Sequence, residues 1–209
     1  MNNKILRDLS YGVYVVGSTD DGKNVGCIAN SAMQITSNPA TVAISINHDN
    51  YTNECIKKCN KFSVSVLNEE NDSSIIGTFG FSSSRDKDKY RDVDYEIVET
   101  MPVLKSTNGY IVCEVVSTLE TETHTIFIGK IIAMDKYADK TPMTYKYYYE
   151  VLKGNSPKKA PTYVEIEEEI KENRWRCTMC GYIYEGAELP IDFVCPICGE
   201  PREVFEKVN

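Results

Sequence analysis

Cys177-Thr178-Met179-Cys180-Gly181 is answered by Cys195-Pro196-Ile197-Cys198-Gly199, two Cys-x-x-Cys hooks with fourteen residues between them. A thiolate-bound metal takes four soft ligands at the corners of a tetrahedron, and each hook delivers two from one tight turn. The glycine after each hook stands where a backbone bending around sulfur needs left-handed freedom. Cys177, Cys180, Cys195 and Cys198 are therefore the candidate metal ligands, and their spacing alone suits zinc and iron equally. A module this small does not fold on its apolar residues alone, and metal binding would supply the missing folding free energy.

Ahead of the hooks, the 209-residue chain has room for one ordinary domain of about 150 residues. Gly154-Asn155-Ser156-Pro157-Lys158-Lys159-Ala160-Pro161 breaks regular structure, and Glu165 to Glu172 carries five glutamates against one lysine. These shifts predict a first domain over 1–161, an acidic linker over 162–174 and a metal-binding module over 175–209. From Tyr163 onward eleven acidic residues face five basic ones, which accounts for most of the net charge of −8. That surplus suits either a docking patch for a basic partner protein or a solvated surface. With no basic stripe, a nucleic-acid ligand is not expected. Four of the eight cysteines (Cys27, Cys55, Cys59, Cys113) are scattered away from the hooks, a usage that fits a reducing compartment. No apolar run approaches the roughly 18 residues of a spanning helix, and no signal-like apolar stretch opens the sequence. No membrane association and a cytoplasmic location are expected.

The first domain reads as mainly β. Tyr11 to Thr19 is rich in β-formers and runs into Asp20-Asp21-Gly22-Lys23, an Asp-Gly hairpin signal, with Val25 to Ala29 returning. Asn30 to Pro39 is small and polar and reads as a loop, followed by a strand over Thr41 to Ile46. Asn53 to Cys59 predicts a short amphipathic helix, Phe62 to Leu67 an alternating strand, and Asp72 to Gly80 a second short helix. Tyr95 to Val98, Val103-Leu104, Tyr110 to Thr118 and Thr125 to Met134 complete a run of strands with few helices, the pattern of a closed or nearly closed antiparallel barrel. No Gly-x-Gly-x-x-Gly turn, Walker loop, nucleophilic triad or two-carboxylate site can be assembled.

Asn24-Val25-Gly26-Cys27-Ile28-Ala29-Asn30-Ser31-Ala32-Met33-Gln34-Ile35-Thr36, then Ala43-Ile44-Ser45-Ile46-Asn47, Phe79-Gly80, Ser84-Arg85-Asp86 with Lys89, and His124-Thr125-Ile126-Phe127-Ile128-Gly129-Lys130-Ile131 follow in this order. Together they resemble the flavin reductase-like, FMN-binding split-barrel family over roughly residues 5 to 160. Likewise Cys-Gly-Tyr-Ile-Tyr, Cys-Pro-Ile-Cys-Gly and the aromatics Trp175, Tyr182, Tyr184, Phe193 and Phe205 resemble rubredoxin, in the shortened form appended to rubrerythrins. The resemblance implies a mainly β chain: an FMN-binding split β-barrel with short helices, plus a small rubredoxin-like four-cysteine domain holding one iron.

From the first resemblance follow the candidate flavin contacts. Small residues and backbone amides at Asn30, Ser31 and Ala32, next to Cys27, would let the main chain approach the isoalloxazine edge. Gln34, Ser45, Asn47, Tyr51 and Thr52 offer polar groups to its nitrogens and oxygens. Arg85 and Lys89 would take the phosphate, and His124 would lie by flavin and nicotinamide as the catalytic candidate. The tyrosines from Tyr145 to Tyr149 stack near flavin, seal the barrel mouth or enter a subunit contact, and the contact is the preferred reading because the family implies a homodimer. As a whole the chain resembles the flavin reductase–rubredoxin fusions of anaerobes, of the high-molecular-weight rubredoxin type. That resemblance implies electron flow from NADH or NADPH through FMN and iron to an acceptor protein such as a flavo-diiron oxygen or nitric oxide reductase.

Overall fold

The computed structural model describes residues 3–154 and 174–208, so the expected linker lies outside the described residues except for Arg174. A 3₁₀ turn at Asn3–Asp8 leads to β1 (Tyr14–Asp20) and β2 (Lys23–Ala29). They are joined by Asp21 and Gly22 at φ of 47° and 86°, the left-handed pair that the Asp-Gly signal predicts. β3 (Ala32–Ser37), β4 (Ala40–Asn47), α1 (Tyr51–Cys59), β5 (Lys61–Val66) and α2 (Ser74–Phe81) follow. β6 (Tyr95–Val98), β7 (Met101–Leu104), β8 (Gly109–Glu120), β9 (His124–Lys136) and α3 (Tyr145–Glu150) complete the first domain.

Seven of these strands form one sheet in the order β2-β1-β5-β8-β9-β4-β3. Val16 and Cys27 near one edge share a buried cluster with Val42 and Ile44 near the other, together with Phe62, Cys113 and Phe127. The sheet therefore curls on itself into a barrel whose edge strands, β2 and β3, are not laced to each other. The β6–β7 hairpin crosses β5, held where Leu104 N donates to Ser65 Oγ at 3.0 Å. Fully buried Phe62 and Phe127 each contribute about 1.5–3 kcal/mol of transfer free energy.

One expectation is corrected here. The polar stretch Asn30–Pro39 is not a loop: Ala32–Ser37 pairs with β4 as an edge strand, its side chains almost all exposed. An edge strand with no core face carries no alternation of apolar residues, so its pairing is set by β4 alone.

Asn50 starts α1, its side chain accepting from Thr52 N at 3.0 Å, and Asn60 ends it in the left-handed region at φ 59°. Buried Cys55 and Ile56 turn its inner face to the barrel. At the other end of the chain β10 (Arg174–Cys177), β11 (Ile183–Glu185) and β12 (Phe205–Val208) make a small sheet with β10 central. Phe193 packs edge-on against Tyr184 and Phe205 at 4.8 and 5.3 Å between ring centres, a core of aromatics around the hooks.

Candidate functional site

Each hook turns through the same backbone device. Gly181 N donates to Cys177 O and Gly199 N to Cys195 O, both at 2.9 Å. Both glycines are left-handed, at φ 75° and 72°. The amides of Tyr182 and Glu200, two residues beyond Cys180 and Cys198, donate to those sulfurs. The four Sγ atoms lie within 4.8 Å of one another, with Cys177–Cys198 at 3.6 Å and Cys180–Cys195 at 3.4 Å. A tetrahedron with metal–sulfur bonds of about 2.3 Å has edges of about 3.8 Å, so the cage fits a four-coordinate metal ion. Hydrogen bonds from Cys180 and Cys195 hold Cys177 well below the usual thiol range, while those with Cys177 and Cys195 push Cys180 up. Four converging sulfurs are the donor set a thiophilic metal takes.

Between the barrel and its helices lies a cavity of about 510 Å³. β2 supplies Cys27, Ile28 and Ala29, with Asn30 just beyond. β4 supplies Ser45, Ile46 and Asn47, β9 supplies His124, and α2 supplies Ile76, Phe79 and Gly80. Asn47 and His124 are directly opposed in the β4–β9 ladder, which is why two residues 77 positions apart meet at one rim. His124 Nδ1 is 2.7 Å from Thr123 Oγ1, whereas its buried Nε2 has no hydrogen-bond partner in the protein. Burial, with His48 adding to it, lowers the His124 pKa and keeps the imidazole neutral at pH 7. An unpartnered ring nitrogen beside an apolar slot with Asn and Ser at its edge fits a flat heterocycle such as a flavin ring.

Of the residues expected to touch flavin, Cys27, Asn30, Ser45, Asn47, Tyr51 and His124 line this cavity. Ser31, Ala32, Gln34 and Thr52 do not. Ser31 donates from Oγ to Asn30 Oδ1 at 3.1 Å and so supports the lining from behind, and Thr52 is buried in α1. Gln34 is exposed on β3 and bonds Thr36 O. Lys89 is a correction. Its ammonium is buried, donating to Gly26 O at 2.8 Å and Phe79 O at 3.1 Å, and burial pulls its pKa down to about 8. It ties the Ser82–Tyr90 segment to the barrel and does not line the cavity. Arg85 is exposed, paired with Glu54 and stacked over the Tyr51 ring at 4.2 Å, one side chain back from the lining.

Of the tyrosine run, Tyr145 and Tyr148 are buried in this chain's own cavity wall, their rings 5.6 Å apart, and seal the cavity, while Tyr147 and Tyr149 are half-buried. Sequence reasoning missed Val13, Asn50, Ile76 and the Ser82-Ser83 pair as lining residues. The serines follow the apolar helix directly and were the one available signal; Val13 and Ile76 look like any core residue until the fold is known.

Two family models cover this arrangement. Residues 6–151 match the flavin reductase like domain and residues 175–206 the rubrerythrin, rubredoxin-like domain. The chain belongs to the flavin reductase-like family. Along its whole length, and the whole length of the relative, it is 36% identical to high molecular weight rubredoxin of Moorella thermoacetica. It is 35% identical to a ferric-chelate reductase (NAD(P)H) of Archaeoglobus fulgidus, over 79% of this chain and 99% of that one. Flavoredoxin from Methanosarcina acetivorans superposes with a TM-score of 0.57 at 26% identity, covering 61% of this chain and 69% of that one. This is a flavin reductase-like barrel carrying a rubredoxin-type four-cysteine site, an oxidoreductase built for electron transfer. Among the described residues no helix is long and apolar enough to cross a membrane.

Lys89 and Arg85 can be separated by substitution. Lys89→Met leaves buried carbonyls unpaired and lowers unfolding free energy by about 1–3 kcal/mol, read by urea denaturation. If Arg85 swings to the phosphate, Arg85→Ala weakens FMN by about tenfold to a hundredfold, the worth of a charge-assisted bond, and leaves riboflavin affinity unchanged. Equal loss for both ligands removes Arg85 from phosphate binding.

Proposed function

We propose that this protein is an NAD(P)H-dependent FMN oxidoreductase that passes electrons through its thiolate-bound iron to an acceptor protein. The observation that carries this reading is one continuous apolar cluster. Val13, Ile76, Phe79, Tyr145 and Tyr148 of the cavity wall belong to it, and so do Cys177, Cys180, Cys195 and Ile197 of the metal module. When bound, FMN supplies a two-electron acceptor for hydride that releases electrons singly, and iron a one-electron carrier.

The chain's own residues would bind and orient. Ile76, Phe79 and Ile46 exclude water from the ring faces, and Asn47 and Ser45 offer donors and acceptors at its edge. His124 Nε2, neutral and unpartnered, would hold a ring or carboxamide group of flavin or nicotinamide in place. The acid-rich module surface, with Glu185, Glu188, Asp192, Glu200 and Glu203, would steer a basic acceptor, for which a flavo-diiron protein is the candidate. Exposed Val116 and Leu119 on β8 and Ile132 and Met134 on β9 support self-association as a homodimer. The reducing cytoplasm suits eight cysteines that are all free.

Anaerobic stopped-flow mixing with NADH and with NADPH tests the reading. The flavin band should bleach first and the ferric-thiolate band second, and an iron band that never bleaches overturns it. His124→Ala should slow flavin bleaching by about tenfold, the worth of one hydrogen bond, without change in iron content. Unaltered bleaching would take His124 out of the site.

A further inference from the structure

Helix α2 has two working faces. Ile76, Phe79 and Gly80 line the cavity, while Ser73, just ahead of the helix, and Gly77, one turn on, face the second cysteine hook. Ser73 stands in the N-cap position but does not cap; its hydroxyl instead donates to Pro196 O at 2.5 Å, and Asp72 Oδ1 takes the Ser74 amide. A β-carbon at Gly77 would stand 2.8 Å from the Cys198 α-carbon and closer still to Ile197 O, nearer than real β-carbons approach. Its three nearest neighbours are all atoms of the module, whose approach by itself requires glycine at this mid-helix position. Cys198 is also the only one of the four ligands that is not fully buried.

We propose that Ser73 and Gly77 are positioning residues that dock the second hook on α2, so that Cys198 is the sulfur through which this chain's own flavin cavity reaches the iron. The proposal rests on the flavin-to-iron reading above and adds the route. Each passage moves one electron, oxidising reduced flavin by one equivalent and reducing one ferric centre to ferrous. A flavin charged by one hydride, which is two electrons and one proton, would therefore supply two passages and release that one proton to water. Because the contact is made within one polypeptide, no partner subunit is needed for it.

The test uses the full-length protein with Gly77→Ala, Gly77→Leu and Ser73→Ala. Alanine is a better helix former than glycine, so Gly77→Ala keeps the barrel helix intact while its methyl pushes the hook away. Overpacking a filled contact should cut the ratio of docked to undocked module by about tenfold to a hundredfold for Gly77→Leu, with Gly77→Ala between it and the native protein. Two readouts follow it. On zinc-loaded protein, hydrogen exchange of the α2 and Cys195–Gly199 amides should speed up in the same order. On iron-loaded protein, flavin-to-iron transfer should slow in that order while flavin reduction, flavin oxidation by ferricyanide and the ferric visible spectrum stay as they were. Native exchange and native transfer in Gly77→Leu overturn the docking route. Failure of the unaltered protein to pass electrons to iron overturns the functional reading instead, while the exchange result still decides the docking.

Discussion

On the function proposed above, Cys177→Ser should yield a protein that takes hydride from a nicotinamide and keeps it. Its flavin bleaches at the native rate, the red ferric-thiolate absorption is absent, and elemental analysis finds the iron lost. The expectation follows from the geometry of the cage. Cys177 is buried and approaches Cys198 at 3.6 Å, one corner of a cage whose four sulfurs lie within 4.8 Å of one another. A serine hydroxyl does not ionise near neutral pH, so one corner of the tetrahedron disappears. Metal binding at such sites is worth about 10–16 kcal/mol of folding free energy, far more than three short strands and a few aromatics can replace. Residues 174–208 should therefore become sensitive to protease while residues 3–154 resist it. A variant that loses flavin reduction together with iron would show that the barrel cannot stand without its module.

Phe79→Ala should be the most damaging change in the barrel. Phe79 is 1% exposed, meets Tyr90 edge-to-face at 5.0 Å, and its ring lies on the cavity wall. Truncating a buried phenylalanine costs about 3–5 kcal/mol, a large part of the roughly 5–15 kcal/mol that holds an ordinary domain together. The loss has three parts: transfer of the ring, the void beside Tyr90, and a widened slot that no longer presses on a flat ligand. Urea denaturation should report the first two and flavin titration the third. Phe79→Leu should recover most of the stability and less of the flavin affinity, because leucine fills volume without offering a flat face. If leucine restores both equally, the ring acts as filler and not as a platform.

What was legible in the sequence divides along the range of the interactions. The hooks, their glycines and the Asp21-Gly22 hairpin are local chemistry, so spacing and residue type were enough. β5 showed itself by the alternation of Phe62 and Val64 with Ser63 and Ser65, although its serine face is buried too, under the β6–β7 hairpin. β3 did not, because an edge strand with solvent on both sides has no pattern to display. Lys89 misled for a related reason: a lysine near a proposed phosphate loop reads as a ligand, and only the tertiary fold brings the carbonyls of Gly26 and Phe79 to its ammonium. Ile76 and Gly77 adjoin in the stretch Ile75-Ile76-Gly77-Thr78-Phe79-Gly80-Phe81, yet one faces the cavity and the other the module. No period in the sequence separates them, since both faces of that helix are covered.

The seam between helix and hook is made from a serine hydroxyl, a glycine and the main chain of Pro196 to Cys198. Such a joint recognises the course of a backbone and is indifferent to most side chains around it. Substitutions across the solvent-facing skin of the module, at Glu188, Ile191 or Asp192, can thus accumulate without loosening the joint. The inner half of the module is committed to its own barrel, and the outer half is left at liberty to be refitted for whatever it must meet.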